Sequence, residues 1–191
     1  MIDIPVEVSA RHVHLSKESA DALFGKDYNF SKRKDLSQPG QFACEERVDI
    51  KTDKYILKNV AILGPLRKKT QVEISLTDAR KLGIKGVIRE SGDLENTPGC
   101  TLIGPKGSIE LSEGVIVAKR HIHMSPKDAE RLNVTNGEEV KVRIKSKNRS
   151  LIFEDVVARV DKNFSLAMHI DTDEGNAVQH EGEVFGNLFR E

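Results

Sequence analysis

A six-residue phrase occurs twice in the chain, as Arg11-His12-Val13-His14-Leu15-Ser16 and as Arg120-His121-Ile122-His123-Met124-Ser125. In an extended strand successive side chains point to opposite faces, so a His-x-His spacing puts both imidazoles on one face. The serine that ends each phrase is a good helix N-cap. Pro126 stands at the first helical position, where proline is favoured. Each phrase therefore predicts a strand that offers two histidines and turns directly into a helix.

Weaker copies of this pattern appear at two further places. Ser16, Ser75 and Ser125 are each followed at four and seven residues by Ala and Leu: Ala20/Leu23, Ala79/Leu82 and Ala129/Leu132. Asp171 takes the same capping place ahead of Gly175 and Val178. Two residues before these four caps stand His14, Glu73, His123 and His169. With His12 and His121 they make six candidate metal ligands, and only His180 of the six histidines falls outside the pattern. A lone histidine usually belongs to core or surface, but two matched His-x-His strands favour a metal site. Imidazole and carboxylate suit zinc, with iron, cobalt, nickel and manganese also compatible. Six ligands exceed one tetrahedral shell and suit two ions of three ligands each. Three protein ligands leave positions open for chemistry.

Composition narrows the class. The chain has 191 residues, enough for one large or two small domains with real cores. Lys plus Arg equals Asp plus Glu at 30 each, so no global basic field points to nucleic acid. No apolar run is long enough to span a bilayer, and the N-terminus lacks the pattern of a signal peptide. Cys44 and Cys100 form neither a CxxC nor a disulfide framework and read as inert thiols. The expected location is the cytoplasm.

Along the chain, Ile4 to Val8 reads as a first strand and Lys17 to Phe24 as a short helix. Gly25 to Cys44 has no clear period, contains the turn sequence Gln38-Pro39-Gly40, and reads equally as a lid or binding loop or as a surface excursion. Val48 to Leu63 reads as a hairpin turning at Thr52-Asp53-Lys54. Arg67-Lys68-Lys69 is a basic cluster of a kind that is usually a solvated surface, but just upstream of Glu73 an arginine fork would suit phosphate. Thr77 to Leu82 predicts a helix stopped by Gly83, Glu139–Ile144 with Ser150–Val160 a second hairpin, and Phe164–Ile170 the strand carrying His169. The glycines between Gly92 and Gly114 look like turn residues and form no nucleotide-binding fingerprint. Many short strands with one- or two-turn helices predict a mainly β (α+β) chain: two small, pseudo-symmetric β-barrels capped by short helices. Histidines from the corners of both would then meet between them.

Long stretches of the chain resemble the PduL-type phosphate propanoyltransferases. They include Ser9 to Ser16, Gln38-Pro39-Gly40-Gln41-Phe42-Ala43, Gly64 to Glu73, Arg89-Glu90-Ser91-Gly92-Asp93, Thr97-Pro98-Gly99, Val115 to Ala118 with the second phrase, and Met168 to Glu174. The resemblance implies reversible conversion of acyl-CoA (propanoyl-CoA or acetyl-CoA) and inorganic phosphate to acyl phosphate and coenzyme A. It implies two β-barrels, one from residues 1–10 plus 119–191 and one from 11–24 plus 46–118, with residues 25–45 inserted as a lid. It implies two divalent ions, zinc first: one held by His12, His14 and Glu73, the other by His121, His123 and His169. Arg67 would bind the attacking phosphate, and Gln38, Pro39 and Gly40 would cover the site. Arg11 and Arg120 are weaker candidates for phosphate or CoA, with salt-bridging as their alternative. The expected assembly is a homodimer, with no nucleic-acid or membrane partner. With only eight residues before the first motif, the chain resembles the free cytosolic members, which lack a microcompartment-targeting extension. The rival readings are a metal-dependent hydrolase of a thioester and a non-catalytic metal- or acyl-CoA-binding module.

Overall fold

A computed structural model describes residues 2–189. The chain divides into two compact units. Unit 1 comprises Met1–Ser9, Ser37–Pro39 and Lys119–Glu191, and unit 2 comprises Ala10–Leu36 and Gly40–Ala118. The chain is mostly strand with four short helices among the described residues, as the turn-rich sequence predicts.

Unit 1 is a closed six-stranded barrel. Its strands are β1 (Ile4–Val8), β11 (His121–Met124), β12 (Glu139–Ile144), β13 (Leu151–Val160), β14 (Ala167–Ile170) and β15 (Val184–Phe189). They close in the order β1-β14-β11-β13-β12-β15. Ile4, Ile122, Met124, Val142, Ile144 and Met168 fill the interior. The tight fit shows at Gly186, where a Cβ would lie 2.6 Å from Val142 Cγ1. Two helices, α3 (Pro126–Leu132) and α4 (Thr172–Ala177), follow β11 and β14.

Unit 2 is a curled half-barrel that stays open. Its strands are β2 (His12–His14), β3 (Lys32–Asp35), β4 (Phe42–Lys51), β5 (Ile56–Gly64), β6 (Gln71–Glu73), β7 (Ile88–Arg89), β8 (Cys100–Ile103), β9 (Ser108–Leu111) and β10 (Val115–Ala118). The order is β7-β10-β6-β2-β5-β4-β8-β9, with β3 paired to β4. The terminal strands β7 and β9 have two and four residues, short enough to offer little edge for a foreign strand. Helices α1 (Lys17–Phe24) and α2 (Leu76–Leu82) follow β2 and β6. The stretch from Gly25 to Cys44 is less irregular than its sequence implies: β3 pairs antiparallel with the start of β4. All four residues of β3 are exposed, so backbone pairing holds the strand and no hydrophobic alternation betrays it.

Four strand-to-helix corners carry the repeated sequence pattern. Ser16, Ser75, Ser125 and Asp171 are the N-caps, all extended, each accepting from the backbone amide three residues on. At Ser125 and Asp171 the N3 carboxylates of Asp128 and Glu174 complete capping boxes. The residues four and seven beyond each cap, one helical face, are all buried: Ala20/Leu23, Ala79/Leu82, Ala129/Leu132 and Gly175/Val178. Gly83 ends α2 in the left-handed region, as its sequence position predicts. One departure is local. β14 begins at Ala167 rather than Phe164, because Phe164 closes a turn by donating to the Asp161 carbonyl. No described helix is long and apolar enough to cross a membrane.

Cys44 and Cys100 are buried free thiols. Burial pushes Cys44 up to about 11 and Cys100 up to about 12, so neither presents a thiolate near neutrality.

Gly175 stands where the other three helices have alanine, and a Cβ there would lie 2.7 Å from Val8 Cγ2. Alanine in a helix interior is favoured over glycine by about 1 kcal/mol, whereas overpacking costs about 1–3 kcal/mol. Val8 is β-branched and stiff, so the clash should win. Gly175→Ala is expected to lower stability by about 1 kcal/mol in chemical denaturation. Adding Val8→Ala should turn that loss into a gain.

Candidate functional site

Each unit gathers three ligand side chains by the same construction. In unit 2, β2 puts His12 and His14 on one face while Val13 enters the core on the other. The adjacent antiparallel strand β6 brings Glu73 directly opposite His12. In unit 1, β11 presents His121 and His123 while Ile122 and Met124 are buried. Its antiparallel neighbour β14 brings His169 directly opposite His121. Residues opposite one another in such a ladder have Cβ atoms about 4.5–5.5 Å apart, so long side chains converge. In both trios the ligand atoms lie within 4.8 Å of one another.

The distances suit a small ion. His12 Nε2 is 3.2 Å from His14 Nε2 and 3.4 Å from Glu73 Oε2, and His14 Nε2 is 3.6 Å from Glu73 Oε1. A tetrahedral zinc with ligands at about 2.0–2.1 Å spaces them about 3.3 Å apart. The tautomers fit as well. His12 Nδ1 donates to the Ala10 carbonyl at 2.8 Å and His121 Nδ1 donates to the Lys119 carbonyl at 2.8 Å. Each bond fixes the proton on Nδ1 and leaves the Nε2 lone pair for coordination. In unit 1 the ring centroids of His121 and His123 are 4.6 Å apart, and those of His121 and His169 5.2 Å. Phe164 packs on His123 at 4.1 Å between centroids.

Protonation in unit 2 is set by burial against charge. Burial pushes His14 down to about 4, so it is a neutral ligand at ordinary pH. Burial also opposes charge on His12, but the Glu73 carboxylate and the Ala10 carbonyl outweigh it, and His12 is raised. Burial would raise Glu73, yet His12 and His14 together hold it well below the usual carboxylate range. A cation bound there would compete with a proton on His12 for the Glu73 carboxylate.

Arg67 reaches this trio from the segment before β6. Its backbone NH donates to the Leu15 carbonyl at 2.8 Å, fixing it beside the end of β2. Its Nη1 donates to Ser91 Oγ at 3.0 Å. Its charge opposes protonation of both His12 and His14. The neighbouring Lys68 and Lys69 are exposed, so Arg67 alone of the basic cluster faces inward. Glu73 is steadied from the other side: Gln71 Nε2 donates to Oε1 at 2.5 Å, and Ser91 Oγ lies 3.3 Å from the same oxygen. The Gly92 amide holds Gln71 in turn, at 2.8 Å. Sequence reasoning singled out neither Gln71 nor Ser91 as a site residue. Gln71 could have been found, since it stands two residues before Glu73 on the same strand face.

Arg11 and Arg120 are engaged in ion pairs. Arg11 Nε donates to Asp78 at 2.7 Å and Arg120 Nη1 to Glu174 at 3.1 Å. Both acceptors are the third residue of the helix that follows the third ligand, so each arginine ties its His-x-His strand to that helix. Gln38 is buried in unit 1, where its amide donates to the Ser165 carbonyl and accepts from the Ser165 NH. Pro39 follows it in unit 1, and Gly40, with φ 76°, lies in unit 2. His180 donates to the Val6 carbonyl and has a structural role.

Residues 5–181 match the sequence profile of a family described as phosphate propanoyltransferase. Proteins of that name are similar over most of the chain. The one from Listeria monocytogenes is 53% identical, covering 98% of this chain and 87% of the relative. That from Alkaliphilus metalliredigens is 53% identical over 99% and 89%, and that from Thermotoga maritima 54% over 92% and 83%.

Elemental analysis of the purified protein should find two divalent ions per chain, falling to one in His14→Ala and in His123→Ala. Refilling of the unit 2 trio should also release a proton. With His14 neutral and Glu73 ionised, His12 is the ligand that titrates on mild acidification. Below its raised pKa the affinity should fall about tenfold per pH unit. Titration of the His123→Ala protein with zinc at several pH values measures that slope.

Proposed function

This chain belongs to the phosphate propanoyltransferase family, and we propose that it exchanges a short acyl group between coenzyme A and inorganic phosphate. Propanoyl-CoA is the first candidate donor and acetyl-CoA the second, with the cytoplasm as the setting. The observation that carries this reading is the doubled ligand trio, with Arg67 beside one copy, inside a chain that matches the family from end to end. His12, His14 and Glu73 would hold one divalent ion and His121, His123 and His169 the other, zinc being favoured by ligand type and spacing. Such ions supply positive charge that neutralises phosphate and polarises a thioester carbonyl.

The chain's own groups account for the rest. Arg67 offers a planar fork of N–H donors that matches two phosphate oxygens. Its bond to Ser91 and its backbone anchor on Leu15 set the direction of that fork before phosphate arrives, so less order is lost on binding. A phosphate oxygen attacks the thioester carbon, forming the new C–O bond as the C–S bond breaks. The electron pair leaves on sulfur as coenzyme A thiolate, which needs no strong acid. The reverse reaction runs from thiolate and acyl phosphate through the same states. An acyl-cysteine intermediate finds no support, because both thiols are buried and strongly raised.

The test is release of coenzyme A from propanoyl-CoA as a function of phosphate concentration. Turnover should require phosphate and yield acyl phosphate, trapped as the hydroxamate. Phosphate-independent release would instead identify a thioester hydrolase. Arg67→Ala should lower kcat/KM for phosphate by about 100- to 1,000-fold, the range for loss of one charge-stabilising donor. The KM for propanoyl-CoA should change far less. Unaltered phosphate dependence would remove Arg67 from the reaction.

A further inference from the structure

We infer that Glu7 is a positioning residue for His169, with Ser37 holding Glu7 in place, an inference that rests on reading His121, His123 and His169 as ligands of one ion. Glu7 lies in β1, in parallel register beside His169 of β14. Glu7 Oε2 is 3.6 Å from His169 Nδ1, and Ser37 Oγ donates to that same oxygen at 2.6 Å. Ser37 belongs to the short segment Ser37–Pro39 that packs with unit 1, where the two hydrogen bonds between the Gln38 amide and the Ser165 backbone secure it.

The pattern among the other ligands gives this contact its meaning. The Nδ1 atoms of His12 and His121 each meet a backbone carbonyl two residues earlier, and Glu73 is gripped by Gln71. His169 occupies the strand position that corresponds to Glu73, and its Nδ1 meets a carboxylate. A carboxylate beside Nδ1 keeps the proton on that nitrogen, turns Nε2 toward the ion and raises its basicity more than a carbonyl does. Glu7 is 40% exposed at its side chain, so one edge of the carboxylate meets solvent while the other faces the ring.

Loss of such an outer partner weakens metal binding about 10- to 100-fold. The test uses the full chain carrying Glu73→Ala, which leaves the three-histidine trio as the cobalt site, and titrates it with Co(II) against a competing chelator. Adding Glu7→Gln should weaken cobalt binding about 10-fold or more and shift the visible absorption bands, with metal-free melting unchanged. Ser37→Ala should weaken it by a smaller factor. Cobalt affinity and bands identical to the parent would overturn the role of Glu7 while leaving the metal site standing. A loss of affinity matched by equal destabilisation of the metal-free protein would overturn it too, by showing a packing role. If the Glu73→Ala protein binds no cobalt, the metal reading and this inference fall together.

Discussion

A side chain two residues along a strand from another has no choice of face, and both ligand trios depend on that constraint. The cap at the end of each strand then fixes where the strand stops, because the same serine or aspartate that accepts an amide proton starts a helix. Antiparallel pairing supplies the third ligand opposite the first, His12 against Glu73 and His121 against His169. Ligand placement is thus set chiefly by backbone hydrogen bonds, which are stiffer determinants than side-chain packing. Val13 and Ile122, buried between the paired histidines, keep each strand from slipping by one residue.

The electrostatics of unit 2 follow from packing a carboxylate among imidazoles with little water. Each group alone would be neutral there, since burial disfavours every charge. Together they settle as an anion at Glu73 with His12 inclined to take the compensating proton, while His14 stays neutral. Arg67 stands close enough to oppose that proton. Unit 1 reaches a similar ligand count with a third histidine in place of the carboxylate, so its net charge with an ion bound would be one unit more positive.

Much of this was legible in the sequence. The six candidate ligand positions, the four caps and the buried positions four and seven beyond each cap come from one repeated pattern, and local rules of strand alternation and helix capping govern all of them. What escaped is what depends on partners distant in sequence. Glu7 and Ser91 acquire their roles only through register or loop placement, and nothing in their immediate neighbours marks them; Gln71 alone is marked, by standing two residues before Glu73. β3 escaped because Lys32 to Asp35 has no apolar face. That unit 1 closes while unit 2 remains an open curl depends on which strands find partners at the sheet ends, a global property that short-range patterns do not encode.

The ladder that closes the barrel has a consequence for synthesis. β1, from the start of the chain, pairs with β14 and β15, from its end. Unit 2, by contrast, is complete once Ala118 has been made, its stretch of chain interrupted only by Ser37–Pro39, which belong to unit 1. As the ribosome proceeds, unit 2 can settle early, whereas β1 has no ladder partner until β14 has been made. A strand made early is thus completed by strands made late, with β15 closing the ring between β1 and β12.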